Sequence, residues 1–239
     1  MKKIRIMGIF AHPDDETFGP GATLAKYASL GHDVYVVCAT RGQVGQSSDH
    51  VITKELGFHR ERELRKATQI LGLKEVIVLD FYDGSLNEQQ LPVLKRSIEH
   101  EIHKVNPDVV IVYEREGISW HLDHIAVVKA VTQLYDEGRI KPKKLYYFGL
   151  DKKVMEIFGL EGCLNESKLA KIDIKKYWQT KVKAMKAHKS QEKDYGRLLA
   201  RLNQIRQDGH SFWHYDNFQL ARTRLKGLKF PETDLLDGL

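Results

Sequence analysis

Five short, almost uninterrupted apolar runs, separated by helix-length segments, constrain this chain more than any other feature. They are Ile4–Phe10, Val34–Ala39, Glu75–Leu79, Asp108–Tyr113 and Lys144–Phe148. Strands covered on both faces by the helices of βαβ crossovers have this pattern. Helical patterns lie between them over Ala22–Leu30, roughly Lys54–Leu71, Gln89–Val105 and Asp123–Tyr135, with Gly31, Gly72 and Pro107 as stops. Right-handed crossovers then predict an α/β fold, a Rossmann-like doubly wound, mostly parallel sheet in the order 3-2-1-4-5 with helices on both faces. In that order the first and fourth strands are neighbours at the switch point, and ligands bind outside the carboxyl ends there.

After Leu150 the pattern loosens, then gives two helices near Lys175–Ala187 and Lys193–Gln207. With 239 residues and no repeat or linker, the expectation is a single domain over 1–239, with a core of 1–150 and a helical, basic C-terminal extension of 151–239. The net charge of +6 is uneven: Lys171–Leu239 holds 15 basic and 8 acidic residues. A solvated helix face accounts for this excess, and no aromatic-interleaved basic surface points to nucleic acid. The apolar runs are too short for a membrane span. Two cysteines, Cys38 and Cys163, make no disulfide framework. The start, MKKIRIMGIFAHPDDE, is too acidic too early for a secretory signal, so a cytoplasmic setting is expected. Homo-oligomerisation is left open.

The reactive residues fall where the topology places a ligand. Ala11-His12-Pro13-Asp14-Asp15-Glu16 follows the first strand, and Ser119-Trp120-His121-Leu122-Asp123-His124 follows the fourth within ten residues. Together they put three imidazoles and several carboxylates in one crevice. Such carboxylates repel unless a cation neutralises them. Imidazole with carboxylate and no thiolate suits Zn2+ or another divalent first-row ion. Read singly, these residues are also ordinary turn and cap residues, with Asp123 capping the following helix. That reading does not explain why both imidazole-rich turns meet at one point.

These motifs resemble the zinc-dependent N-acetylglucosaminyl de-N-acetylases, the PIG-L/LmbE-like deacetylases. The AHPDDE signature stands intact at Ala11–Glu16, and HxDH stands at His121–His124. Thr40-Arg41-Gly42, Arg60-x-x-Glu63 with Ala67 and Leu71-Gly72, Asp83-Gly84 with Leu86, and His188-x-Ser190-Gln191 add weaker similarity. The resemblance implies removal of the N-acetyl group from a GlcNAc-containing sugar or conjugate, a small-molecule N-acetylated substrate, giving free amine and acetate. Members act on N-acetylglucosaminyl phosphatidylinositol, mycothiol and bacillithiol precursors, and diacetylchitobiose. Carried over by position, His12, Asp15 and His124 would bind Zn2+. Asp14 would be the general base, and a protonated His121 would hold the oxyanion. Asp123 would orient His121, and Asp14 or His121 would protonate the leaving amine. Arg41 would contact the substrate. Ser119 stands where many members have Tyr, so no phenol donor is expected, and Trp120 would stack on a sugar face or pack.

Glu16 reads as a helix N-terminal acid, His188 as a pocket-wall or structural residue, and Cys38 as a small buried residue. His100 and His103 read as solvated, and His210 and His214 as tail residues near Phe212, Trp213 and Tyr215. No G-x-G-x-x-G follows the first strand, so the fold is no evidence for a dinucleotide. Rival readings are hydrolysis of another small amide, a phosphoesterase, and a non-catalytic sugar-binding protein. A phosphoesterase would want a second ion; a mere binder would not need Asp14.

Overall fold

A computed structural model describes residues 2–47, 55–150, 152–160, 164–207 and 214–239. Its seven strands are β1 (Arg5–Phe10), β2 (Asp33–Thr40), β3 (Glu75–Phe81), β4 (Val109–Tyr113), β5 (Lys144–Gly149), β6 (Leu169–Asp173) and β7 (Tyr215–Thr223). They form one sheet in the order β3-β2-β1-β4-β5-β7-β6. The first five are parallel and in the expected 3-2-1-4-5 order. Every residue of β4 and β5 is buried, as are all of β1 and β2 after their first positions. That is why those segments read as unbroken apolar runs.

The helices are α1 (Asp15–Phe18), α2 (Gly21–Ser29), α3 (Leu56–Leu71), α4 (Leu91–Val105), α5 (Gly117–Trp120), α6 (Leu122–Asp136), α7 (Lys152–Phe158), α8 (Trp178–Met185) and α9 (Glu192–Gln207). α2, α3 and α8 pack on one another, and α4 packs on α6. The segment expected as a helix from Lys175 opens with a 3-10 turn, Lys175–Tyr177, before α8. Among the described residues no helix is long and apolar enough to cross a membrane.

The C-terminal third departs from its expected all-helical character. It supplies β6 and β7, which extend the sheet antiparallel beyond β5. β6 is an edge strand with one buried face (Ala170 and Ile172), so it lacks a continuous apolar run. β7 is interrupted by Asp216, Asn217 and Gln219. Asp216 is buried and accepts hydrogen bonds from the Thr23 backbone N–H at 3.1 Å and hydroxyl at 2.7 Å. Its polarity therefore serves the interior while hiding the strand from a hydrophobicity reading. Further on, Glu232 meets Lys144 Nζ of β5 at 2.6 Å, both side chains fully buried. Cys38 is buried, and Cys163 lies outside the described residues.

Candidate active site

β1 and β4 are hydrogen-bonded neighbours, so the turns that leave their carboxyl ends meet. His12 Nδ1 stands 3.2 Å from His124 Nε2, across 112 positions of sequence. Asp15 lies between them, with Oδ2 at 3.6 Å from His12 Nδ1 and Oδ1 at 3.4 Å from His124 Nε2. All three are nearly closed to solvent, with side chains 10–12% exposed. His121 joins the group: its ring centroid is 4.6 Å from that of His12 and 4.9 Å from that of His124.

The far side of each of His12, Asp15 and His124 is tied to the protein. His12 Nε2 is 3.1 Å from Asp123 Oδ2 and 3.0 Å from Asp83 Oδ1. His124 Nδ1 is 2.9 Å from the Gly117 carbonyl. Asp15 Oδ2 accepts from the His12 backbone N–H at 2.7 Å and from the Tyr113 hydroxyl, leaving Oδ1 toward His124. Neutral rings that donate outward to these acceptors present two nitrogen lone pairs to each other at 3.2 Å. That contact calls for a positive charge between them, a metal ion or a proton on one ring. Two imidazoles, one carboxylate and outer acceptors that set the tautomers are the donor set of a catalytic divalent-metal centre.

The surrounding carboxylates favour positive charge at this point. Burial opposes a charge on His12, yet the hydrogen bonds to Asp123, Asp15 and Asp83 push its pKa up to about 12. Burial also works against the charge on Asp15, but His124 and His12 hold its carboxyl well below the usual range. Asp83 and Asp123 are lowered too, against burial, chiefly by His12. His12, Asp83 and Asp123 form a second cluster of potential ligands. There, however, the carboxylates accept from His12 Nε2 and from backbone N–H groups of Val44, Gly84 and Leu86.

Asp14 occupies a left-handed backbone conformation, φ 108°, a strained state for a residue with a side chain. Two contacts hold it. Its N–H donates to Glu16 Oε2 at 3.0 Å, and its Oδ2 accepts from Arg60 at 3.0 Å. Arg60 also donates to the carbonyls of Pro13 at 2.6 Å and Gly42 at 2.8 Å. Gly42 is required here, because a Cβ would fall 2.4 Å from the guanidinium. Burial outweighs Arg60 and, with Asp15 and Glu16 adding to it, pushes Asp14 up to about 6. Glu16 is buried rather than simply facing the helix end, and its Oε1 pairs with buried His188 Nε2 at 2.8 Å. Glu63 accepts from Ser190 N–H and hydroxyl at 2.8 and 2.6 Å. The two weaker motifs thus brace one another behind the site.

The loop before α6 carries three residues with left-handed φ in four positions: Gly117, Ile118 and Trp120. Buried Glu114 holds it by accepting from the N–H groups of Glu116, at 2.8 Å, and Ile118. A Cβ at Gly117 would lie 2.7 Å from the His124 Cβ. Asp123 neither caps α6 with its carboxylate nor touches His121 with it. The cap is His121, whose Nδ1 accepts from the Asp123 N–H at 3.2 Å, and the Asp123 carboxylate orients His12 instead. Burial, then His12 and His124, lower the pKa of His121.

Of the expected substrate contacts, Ser119 lies with His124 in the wall of a cavity, and Trp120, 55% exposed, is not among the residues of that wall. Arg41 is held elsewhere, by Glu61 at 2.7 Å and by Asp80, and lies over the Phe58 ring. The guanidinium bonded to Asp14 belongs to Arg60. Its spacing from Glu63 was the signal, since both then face one side of α3. His100 and His103 are exposed, Tyr215 lies at the start of β7, and His210, Phe212 and Trp213 lie outside the described residues.

A family model described as PIG-L: GlcNAc-PI de-N-acetylase matches residues 7–135, spanning β1 to α6 and both signature turns. The chain belongs to the PIG-L family. This PIG-L protein is 29% identical over 194 residues to the probable N-acetyl-alpha-D-glucosaminyl L-malate deacetylase 2 of Bacillus cereus, covering 78% of this chain and 83% of that protein. It is 26% identical to the mycothiol S-conjugate amidase of Streptomyces coelicolor, over 99% and 98% of the two chains. Among solved structures, it shares its fold with the N,N'-diacetylchitobiose deacetylase of Pyrococcus horikoshii (TM-score 0.66, 20% identity, 90% of this chain and 83% of that chain). GalB of Pseudomonas putida KT2440, a 4-carboxy-2-hydroxymuconate hydratase, has the same fold too (TM-score 0.69, 19% identity, 95% and 100% coverage). Fold alone therefore does not assign the reaction.

Proposed function

We propose that this PIG-L family chain is a metal-dependent N-deacetylase. It hydrolyses the amide of an N-acetylated GlcNAc-type sugar or conjugate to a free amine and a carboxylate. The observation that carries this reading is the convergence of His12, Asp15 and His124 beside the Arg60-clamped carboxylate of Asp14. His12 Nδ1, His124 Nε2 and an Asp15 oxygen would hold the ion, with Zn2+ the assignment and Fe2+ or Co2+ able to use the same donors. A divalent ion there supplies Lewis-acid polarisation of the amide carbonyl and a lower pKa for water.

The chain's residues do the rest. Asp14 accepts the proton from the attacking water, and burial, which raises its carboxyl, makes it a stronger base than an exposed Asp. Arg60 fixes the direction of that carboxylate. His121, neutral, accepts from the Asp123 N–H through Nδ1, which leaves Nε2–H as a donor for the oxygen that gains charge. Asp123 and Asp83 keep His12 in one tautomer. Protonated Asp14 then returns its proton to the departing amine. The reading takes residues 1–239 as one domain in a cytoplasmic setting, without nucleic acid as a partner.

The test is acetate release from GlcNAc, diacetylchitobiose, GlcNAc-malate and GlcNAc-inositol, before and after chelation and Zn2+ repletion. Release that chelation abolishes and Zn2+ restores supports the reading. Release untouched by chelation, or none from any amide, overturns it.

A further inference from the structure

The site has two chemically different sides. On the β2–β3 side stand Arg60, bonded to Asp14 at 3.0 Å, and Asp83, 3.0 Å from His12 Nε2. On the β4–β5 side a cavity of about 230 Å3 opens on Asp15, Tyr113, Ser119 and His124. Beyond those groups its wall is Phe18, Ile118, Phe148, Leu150, Leu160 and Leu198, with the backbone of Gly19. A smaller void of about 70 Å3 shares four of these residues and adds Val154, Met185 and Leu202. Its cation, buried Lys181, donates to the Gly19 carbonyl at 2.5 Å and lies 4.0 Å from Asp216, so it is already paired.

Sugar hydroxyls lose their hydrogen bonds to water when buried against such a wall. They belong on the polar side. An amide held with its carbonyl at His12, Asp15 and His124, and its sugar on the polar side away from the apolar wall, directs its acyl group across into the apolar cavity. An acetyl methyl is about water-sized, and a water's share of liquid volume is about 30 Å3. Acetyl therefore leaves most of this space unfilled.

We propose that the cavity receives the acyl chain of the substrate, and that the preferred substrates are N-acyl amino sugars whose acyl group is longer than acetyl. This rests on the amide-hydrolase reading above. The reaction balances as that hydrolysis does. Water oxygen bonds to the acyl carbon, the C–N bond breaks, the amine takes a proton from water, and a longer carboxylate leaves in place of acetate.

The test uses the full chain loaded with Zn2+ and a series of glucosamine amides (acetyl, butanoyl, hexanoyl, octanoyl), with release of the free amine as the readout. Each methylene buried in the cavity should raise kcat/KM about fourfold until the space is full. Leu198→Trp on α9, and independently Leu160→Trp after α7, should lower the hexanoyl-to-acetyl ratio at least about tenfold. Unchanged melting temperatures certify the fold. Rates that fall from acetyl along the series, or a ratio that neither folded variant moves, overturn the inference and leave the hydrolase reading standing. Failure to release amine from any member overturns both.

Discussion

Asp123 Oδ2 sits 3.1 Å from His12 Nε2, on the side of that ring away from His124. The carboxylate also accepts from the backbone N–H groups of Gly84 and Leu86, at 2.7 and 3.0 Å, so it is anchored from three directions. Its effect on chemistry thus passes through His12. Asp123→Asn should weaken Zn2+ affinity by about 10–100-fold, less than His12→Ala, which removes a ligand. Competition against a chromophoric chelator measures both. Equal losses for the two variants would contradict the assignment.

Asp14 is adjacent to Asp15, and its Oδ2 accepts from Arg60. Asp14→Asn should keep a full equivalent of metal and lose about 10²–10⁴-fold in kcat, the range for general acid–base groups. Metal analysis on the same sample used for kinetics decides between a base and a ligand. A variant that arrives metal-free would place Asp14 among the ligands.

Arg60 satisfies the Asp14 carboxylate and the carbonyls of Pro13 and Gly42 from a buried position. Its removal leaves a buried carboxylate unpaired, so Arg60→Ala should cost about 3–5 kcal/mol of stability. Arg60→Lys keeps the charge but not the planar fork. It should recover part of the stability and little of kcat. Chemical denaturation with parallel kinetics separates the two effects.

The parallel core was legible because Ile6, Val36, Val110 and Tyr146 are buried on strands covered by helices, which makes the apolar signal continuous. Both signature turns were legible because their chemistry is concentrated in a few adjacent residues. What escaped was long-range. The polar residues of β7 are satisfied by partners such as Thr23, 193 positions away, and the periodicity of β7 alone does not reveal them. Arg60 and Asp83 are ordinary charged residues until the fold carries them to Asp14 and His12. Arg41, expected as a substrate contact, is engaged by Glu61 and Asp80.

Glu114 supplies the pH dependence that can be read independently of metal. Burial, then the neighbouring Glu116, push its carboxyl from 4.5 up to about 7. The folded state therefore binds this proton more tightly than the unfolded one. The associated stability is complete below pH 4.5 and is lost as pH rises through about 7. Glu114→Gln removes that titration. The melting temperature of the variant relative to wild type should accordingly rise from pH 5 to pH 8, measured by calorimetry on metal-free protein. A difference that stays flat across this range would contradict the assignment.

The central claim is that His12, Asp15 and His124 grip one divalent ion between the turns after β1 and β4. Anomalous diffraction at the zinc edge, on crystals of the Zn2+-loaded protein, tests it most directly. The account predicts a single peak about 2.0–2.2 Å from His12 Nδ1, His124 Nε2 and an Asp15 oxygen. A peak between His12 Nε2, Asp83 and Asp123, or none near either turn, would contradict it.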